Sequence, residues 1–162
     1  MEHVIFYFDP RCPWCYQTSR WARRLAELGE VDVDWQVFSL EVVNRPEGTD
    51  PADLEATGSP SLRTAVLLAD EHGPEAVGPF YAALGRRTFE VAPPASDPVE
   101  VIRESLAEVG HDPGLCDRAV ADPATWKAVV ASTERMRIFP SADSIARQEH
   151  TAGVDMPSAL AR

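Results

Sequence analysis

The chain has 162 residues, of which 44% are apolar and 25% charged, and its net charge is −11. These values are typical of a globular protein with one core, or with a small core and an insertion. The negative charge argues against a nucleic acid partner, because phosphate binding requires a basic surface. No apolar run reaches the roughly 20 residues of a membrane span, and no leader precedes the first apolar run, so we expect a cytoplasmic protein that does not enter membranes.

The first predicted elements are a strand, a helix and a second strand. Residues 4–8 are continuously apolar and predict a central strand that is buried on both faces. Apolar residues at helical spacing predict a helix over residues 13–28, with Gly29 as its C-terminal cap. Residues 31–37 alternate between apolar and polar side chains and predict a half-buried strand. Together they predict a right-handed βαβ unit with parallel strands.

Cys12 and Cys15 stand where the first strand gives way to the first helix. With this i, i+3 spacing and Pro13 at the first helical position, both sulfurs are expected on the first helical turn. They can close a small disulfide there, and the helix N-terminus favours the thiolate form of Cys12. In a reducing compartment, such a pair is catalytic or metal-binding more often than structural. We therefore predict a thiol redox site.

The two cysteines could instead form half of a zinc site, or be inert structural thiols. Zinc requires two further ligands, for which Cys116 with His111 or His150 are the candidates. No spacing supports that set, so we predict no metal site. Cys116 is expected to be a small, buried, apolar residue in a helix.

Residues beyond 44 show the pattern of helices. From residue 59 onwards Asp or Ser stands before Pro at four positions, and a capping residue followed by proline starts a helix. The expected helices cover residues 60–72, 74–86, 97–109, 113–121 and 123–136. The chain is therefore divided into a βαβ unit over residues 1–44, a helical block over residues 45–136 and a tail over residues 137–162, for which no structure is predicted.

The cysteine motif resembles a known family over a longer segment. FYFDPRCPWCYQTSRW, residues 6–21, is similar to the active-site segment of the mycothiol-dependent nitroreductase group, in the DsbA-like branch of the thioredoxin superfamily. Weaker similarities follow in the expected order at FSL (38–40), Asn44, LGRR (84–87) and SLAEVG (105–110). The resemblance extends from residue 3 to about residue 130.

The resemblance implies an α/β thioredoxin-like fold of the DsbA type with an all-helical insertion. Cys12 would be the nucleophile that attacks a disulfide or an electrophile, and Cys15 would be the resolving thiol. Mycothiol, a low-molecular-weight thiol, would supply electrons for a nitro compound or another electrophile, with no tightly bound cofactor. Two alternatives stay open: a general protein disulfide oxidoreductase of the DsbA type, and a non-catalytic thioredoxin-like remnant that only binds or associates.

Several residues near the cysteines are expected to support the site. Pro13 stiffens the turn, and Trp14 offers a partly exposed apolar surface beside the reactive sulfur. Tyr16 is the aromatic residue that we expect to face the substrate. Arg20 could bind an anionic group of the substrate or thiol, although a solvated helix face is the more common use of such an arginine.

Other aromatic residues are assigned to the core. Trp21 and Trp35 fall on the apolar faces of their elements, so we expect both to be buried. Phe80, Tyr81 and Phe89 could line a pocket over the cysteines, but core packing is the preferred interpretation.

The end of the chain departs from the family pattern. Members close the fold with a strand introduced by a cis-proline, then a hairpin strand and a last helix, and none of these is recognisable after Val130. Pro157 is the candidate cis-proline, although it lies too far along the chain, and Pro140 lies too near. A frameshifted or truncated gene would explain the difference. The first strand would then keep an open apolar edge, so a homodimer is one expected outcome.

Overall fold

The computed structural model describes residues 1–55, 59–92 and 97–138. It begins with β1 (Glu2–Phe8), α1 (Pro13–Glu27) and β2 (Val31–Val37). The two strands are parallel, and they pair in register from Glu2 opposite Val31 to Phe8 opposite Val37. The predicted βαβ unit is therefore confirmed. Because both strands point the same way, their C-terminal ends and the N-terminus of α1 meet at one edge of the sheet.

β1 is more exposed than a central strand. Among the described residues, the sheet contains β1 and β2 alone. Ile5 is 42% exposed, and Phe8 is the fully buried side chain of this strand. The expectation that residues 4–8 are buried on both faces is wrong for the described part of the chain, because no other described strand lies beside the second edge of β1.

Helices make up the rest of the described chain. They are α2 (Leu40–Val43), α3 (Pro60–His72), α4 (Val77–Phe89), α5 (Pro98–Glu108), α6 (Leu115–Ala121) and α7 (Pro123–Ile138). The predicted helices are present, with two shifts: the helix predicted over residues 74–86 opens with a 3₁₀ turn, Pro74–Ala76, and extends to Phe89, and the helix predicted over residues 113–121 begins at Leu115. Two of the four predicted N-caps form, since the carboxylates of Asp97 and Asp122 accept hydrogen bonds from Val99 N and Ala124 N, each at 2.9 Å. Ser59 makes no side-chain capping hydrogen bond, and Gly114 is the N-cap of α6 in place of Asp112.

α3 occupies the centre of the helical block, where it contacts α4, α5, α6 and α7. Leu62 and Leu68 are its fully buried apolar side chains. It also carries a buried cation, Arg63, whose Nε donates to Thr125 Oγ1 at 2.8 Å and whose Nη2 donates to Asp122 O at 2.9 Å. These hydrogen bonds offset the cost of burying the guanidinium and hold the junction of α6 and α7 against α3.

α7 joins the helical block to the sheet. Ser132 Oγ donates to the carbonyl of Val37 at 2.7 Å, and Thr133 Oγ1 accepts from Ser39 N at 3.0 Å. The end of β2 is therefore held by buried side chains of a helix that lies 95 residues further along the chain. No helix in the described ranges is long and apolar enough to cross a membrane.

Most of the predicted tail lies outside the described residues. α7 extends to Ile138, two residues into the tail. The candidate cis-proline, Pro157, and the zinc candidate His150 lie outside the described residues.

Candidate active site

The two cysteines lie at the N-terminus of α1, as predicted. Cys12 is the N-cap, with an extended backbone (φ −89°, ψ 112°), and Pro13 occupies the first helical position. The Sγ atom of Cys12 accepts a hydrogen bond from Cys15 N at 3.3 Å, so the sulfur takes the place that a Ser or Asp oxygen has in an ordinary cap. Both cysteines are partly buried free thiols.

The surroundings of Cys15 change the pKa of its thiol. Burial raises the pKa of the Cys15 thiol to about 11, and the neighbouring sulfur of Cys12 acts in the same direction. Cys15 is therefore protonated at neutral pH. A protonated, more enclosed sulfur one turn inside the helix suits a resolving thiol, because it attacks only after a mixed disulfide has formed next to it.

Asp9 fixes the loop before Cys12. Its carboxylate is fully buried; Oδ1 accepts from Arg11 N at 2.9 Å and Oδ2 from Leu40 N at 2.8 Å. Its carbonyl also accepts from Cys12 N at 2.9 Å. The sequence analysis missed this role. The signal was present, since an aspartate directly after a buried strand and before a proline favours a turn that the aspartate itself stabilises.

Trp14 and Trp21 share one exposed face of α1. Trp14, between the cysteines, is 80% exposed and presents an apolar ring beside them, whereas Trp21 is 65% exposed. The expectation of a buried Trp21 is wrong, because no described element packs over this face of the helix. Trp35 is half-buried and lies against Phe6, with ring centroids 5.1 Å apart.

Tyr16 is not at the surface, which corrects the expectation that it faces a substrate. The residue is 4% exposed, and its hydroxyl donates to Glu90 Oε1 at 2.6 Å. Its ring stacks on Phe89 at 5.4 Å and lies directly over Gly85, where a Cβ atom would overlap the ring. Burial, then the Glu90 hydrogen bond, raises the pKa of Tyr16. The residue therefore joins α1 to α4.

Arg20 lies on the exposed side of this junction. Its Nη1 is 3.6 Å from Glu90 Oε1, and the side chain is 59% exposed. The carboxylate of Glu90 thus already neutralises part of the positive charge that the sequence analysis assigned to an anionic ligand.

A polar group with an unusual environment lies in the core beneath α1. Tyr81 is fully buried, as predicted, and its ring stacks on Phe8 at a centroid distance of 4.0 Å. The hydroxyl of Tyr81 has no hydrogen-bond partner among the described residues. Burial raises the pKa of Tyr81, and the nearby Cys15 raises it further.

The guanidinium of Arg23 lies next to this tyrosine. Its Cζ atom is 4.8 Å from the ring centroid of Trp35 and 5.1 Å from that of Tyr81, which is cation–π geometry. Nη1 donates to Ser19 Oγ at 2.6 Å, while Nη2 is buried without a partner among the described residues. Burial lowers the pKa of Arg23. Nothing in the local sequence around Arg23 signals this aromatic site.

A cavity of about 360 Å³ opens beside the loop that precedes Cys12. Its walls are formed by the active-site loop and by α3, α4 and α5. Its lining residues include Pro10, Arg11, Pro60, Leu84, Arg87 and Ile102. The cavity is mainly apolar, with arginines that have carboxylate partners: Arg11 Nη2 is 3.6 Å from Glu41, and Arg87 pairs with Glu104 and Glu108.

Cys116, a candidate zinc ligand in the sequence, lies away from the surface. This thiol is buried in α6 beside Thr64 of α3, and burial raises its pKa. Within the described ranges there is no group of three or more side chains that could hold a metal ion.

The fold is that of a known class. A crystal structure of a protein from Nitrosomonas europaea, whose description as a protein disulfide isomerase is provisional, superposes with a TM-score of 0.59 over 83% of this chain and 78% of that one. The sequences are 14% identical, so the likeness concerns the fold alone. Together with the βαβ unit and the helical block, it defines a thioredoxin-like fold with a helical insertion.

The family is identified by sequence. Residues 11–146 match the family model described as Rv2466c-like, mycothiol-dependent nitroreductase Rv2466c. The chain belongs to this family, and the match extends beyond residue 130, where the resemblance was expected to end. An uncharacterized protein of Mycobacterium tuberculosis, Rv2286c, is 34% identical over 138 residues. That alignment covers 84% of this chain and 59% of the relative, so this chain spans about three fifths of the relative's length.

Proposed function

We propose that this chain carries the thiol–disulfide exchange site of a mycothiol-dependent reductase, with Cys12 as the nucleophile and Cys15 as the resolving thiol. The observation that carries the proposal is the placement of both sulfurs on the first turn of α1, with Cys12 Sγ 3.3 Å from Cys15 N. Burial holds the inner sulfur, Cys15, protonated until it is needed. Family membership supports mycothiol as the electron donor.

Both cysteines supply electrons and protons in the proposed reaction. Oxidation of Cys12 and Cys15 to one disulfide releases two electrons and two protons, which convert a nitro group into a nitroso group and water. Two molecules of mycothiol then restore the enzyme: the first forms a mixed disulfide with Cys12 and releases Cys15, and the second displaces Cys12 and leaves as mycothiol disulfide.

The cavity beside the active-site loop is the proposed substrate site. It begins two residues before Cys12, at Pro10 and Arg11, and its apolar walls suit the aromatic body of a nitro compound. Trp14 would cover the substrate from the other side, because its ring is exposed next to the reactive sulfur. In this arrangement the βαβ unit supplies the sulfurs and the helical block supplies the pocket.

Reduction of a nitroaromatic probe in the presence of mycothiol tests this function. Cys12→Ser and Cys15→Ser are each expected to abolish turnover, because the two electrons come from closing the disulfide between these residues. Cys116→Ser is the matched control and should retain activity, because this thiol is buried in α6. Turnover of protein disulfides without a low-molecular-weight thiol would instead indicate a DsbA-type oxidoreductase. Equal, background rates for the wild type and Cys12→Ser would indicate a non-catalytic protein.

A further inference from the structure

Two buried polar groups near the cysteines have no hydrogen-bond partner in the part of the chain that the structure describes. They are the hydroxyl of Tyr81 and Nη2 of Arg23, and they lie together, since the guanidinium is 5.1 Å from the tyrosine ring. A buried donor without a partner destabilises the fold, so folded proteins rarely keep one without a use. A phenylalanine at position 81 would keep the stacking on Phe8 without this cost. The hydroxyl therefore calls for a functional explanation.

Cys15 lies close to this pair, and its thiolate form needs hydrogen-bond donors. Cys15 is packed against the core, and it must carry a negative charge whenever the disulfide with Cys12 opens. Cys12 and the carboxylate of Asp9 disfavour a thiolate at this position, whereas a backbone hydrogen bond at Asp9 favours it. The phenol of Tyr81 is a second neutral group that interacts with this sulfur.

We propose that the Tyr81 hydroxyl stabilises the thiolate of Cys15 by hydrogen bonding during disulfide exchange, with Arg23 as a positioning residue behind it. This inference rests on the proposed function and assigns one further group to its chemistry. Among the described residues the hydroxyl makes no geometrically well-formed hydrogen bond, although the Ser19 side chain lies close enough to act on its pKa. A rotation about the C–O bond is therefore all that it needs to donate to the charge that develops on Cys15.

The step assisted is the opening of the enzyme disulfide. A thiolate from solution attacks Cys12 Sγ and forms a new S–S bond, while the Cys12–Cys15 bond breaks and Cys15 leaves with the electron pair. The Tyr81 O–H donates to that sulfur as the charge develops, and a proton from water then neutralises it. The same hydrogen bond assists the reverse step, in which the Cys15 thiolate attacks the mixed disulfide.

Arg23 would hold and polarise the phenol. Its cation lies over the rings of both Tyr81 and Trp35 and is fixed by Ser19, one helical turn after Cys15. A positive charge next to a phenol makes its O–H a stronger donor. This placement removes the guanidinium from water, which lowers the pKa of Arg23 and so disfavours its charged form.

The test compares Tyr81→Phe with Tyr7→Phe, a control that removes the hydroxyl of a half-buried tyrosine in β1. The full-length chain is oxidised to the Cys12–Cys15 disulfide, and its reduction by dithiothreitol is followed by stopped-flow fluorescence of the neighbouring Trp14. Tyr81→Phe should slow reduction about 10- to 100-fold, as expected for loss of one hydrogen bond to a charged group. Tyr7→Phe should leave the rate unchanged.

Two further measurements separate this role from a structural one. In the Cys12→Ser background, the pH at which iodoacetamide labels Cys15, followed by mass spectrometry, should rise on Tyr81→Phe. Chemical denaturation should show that Tyr81→Phe is as stable as the wild type or more stable. A lower stability with unchanged exchange rate and labelling profile would overturn the proposal. Equal rates for wild type and Tyr81→Phe would also overturn it, whereas failure of the wild-type chain to form a reducible disulfide would overturn the proposed function itself.

Discussion

The carboxylate of Asp9 accepts a hydrogen bond from the backbone N–H of Leu40 at 2.8 Å. The two residues follow β1 and β2, so this contact joins the loops that leave the two parallel strands. It also places the loop before Cys12 next to α2, which α7 contacts in turn. The position of the reactive sulfur therefore depends on a buried carboxylate that the sequence motif contains but does not explain.

Replacement of Asp9 tests this dependence. Asp9→Ala leaves the N–H groups of Arg11 and Leu40 without their partner, so we expect a loss of about 2–4 kcal/mol in the free energy of unfolding. Asp9→Asn keeps the shape and one acceptor oxygen and should lose less. The exposed Asp53, changed to Asn, is the control and should fall within about 0.5 kcal/mol of the wild type. Urea denaturation measures all three, and equal stabilities would contradict the assigned role.

The raised pKa of Cys15 predicts an order of thiol reactivity. With a pKa of about 11, the thiolate fraction of Cys15 at pH 7 is about 10⁻⁴. Iodoacetamide at pH 7 should therefore label Cys12 and leave Cys15 unlabelled. In Cys12→Ser the contribution of the Cys12 sulfur is lost but burial, the largest cause, stays, so labelling of Cys15 should still increase only above pH 9. Peptide mass spectrometry resolves the sites. Preferential labelling of Cys15 at pH 7 would reverse the assigned roles.

The raised pKa of Cys15 also makes the free energy of unfolding depend on pH. The pKa of Cys15 is higher in the folded state than in the unfolded chain, so folding favours the protonated thiol. Its contribution is fully present below the unfolded pKa, near 8.5–9, and is lost as the pH rises towards 11. In the Cys12→Ser background, the free energy of unfolding should fall more steeply between pH 9 and pH 11 than in a variant that also carries Cys15→Ala. Parallel pH profiles for the two would exclude the effect.

Gly85 is predicted to be required for the contact between α1 and α4. A Cβ atom at this position would overlap the ring of Tyr16, which Glu90 holds in place through its hydroxyl. Gly85→Ala should destabilise the fold by about 1–3 kcal/mol, as is typical of overpacking. Gly114→Ala is the control, because its Cβ would approach only the exposed carboxylate of Asp112, at 3.2 Å. The double variant with Tyr16→Ala should lose less than the sum of its single changes in thermal denaturation; strict additivity would show that the ring is not the obstacle.

Local sequence signals account for most of the fold. Three helices of the block, α3, α5 and α7, begin at the proline that the sequence predicts, and this signal does not depend on the neighbours of the helix. In contrast, α4 and α6 begin at Val77 and Leu115, a few residues after the predicted start. Side-chain burial was harder to predict. Apolar spacing places Trp14 and Trp21 on one helix face but does not show what covers that face. Tyr16 follows the motif directly, yet its position is determined by Glu90, which lies 74 residues away.

The candidate site also has residues that the sequence predicts and residues that it does not. The cysteines and Pro13 were predictable because a CxxC between a strand and a helix has its geometry fixed by the first helical turn. The environment of Arg23 was not, since an arginine among other arginines in α1 has the pattern of a solvated face. Its contacts with Trp35 and Tyr81 come from β2 and α4, and only the assembled fold brings these elements together.

Trp14 and Trp21 offer a matched test of substrate contact. Both are exposed tryptophans on one face of α1, at 80% and 65%, but only Trp14 lies between the cysteines. Because neither ring is buried, Trp14→Ala and Trp21→Ala should each change the free energy of unfolding by less than about 1 kcal/mol. Trp14→Ala should raise KM for an aromatic nitro probe about 10-fold, as expected for loss of an aromatic contact. Trp21→Ala should leave KM unchanged, and an equal rise in both variants would assign the substrate to the whole helix face instead of the cysteine turn.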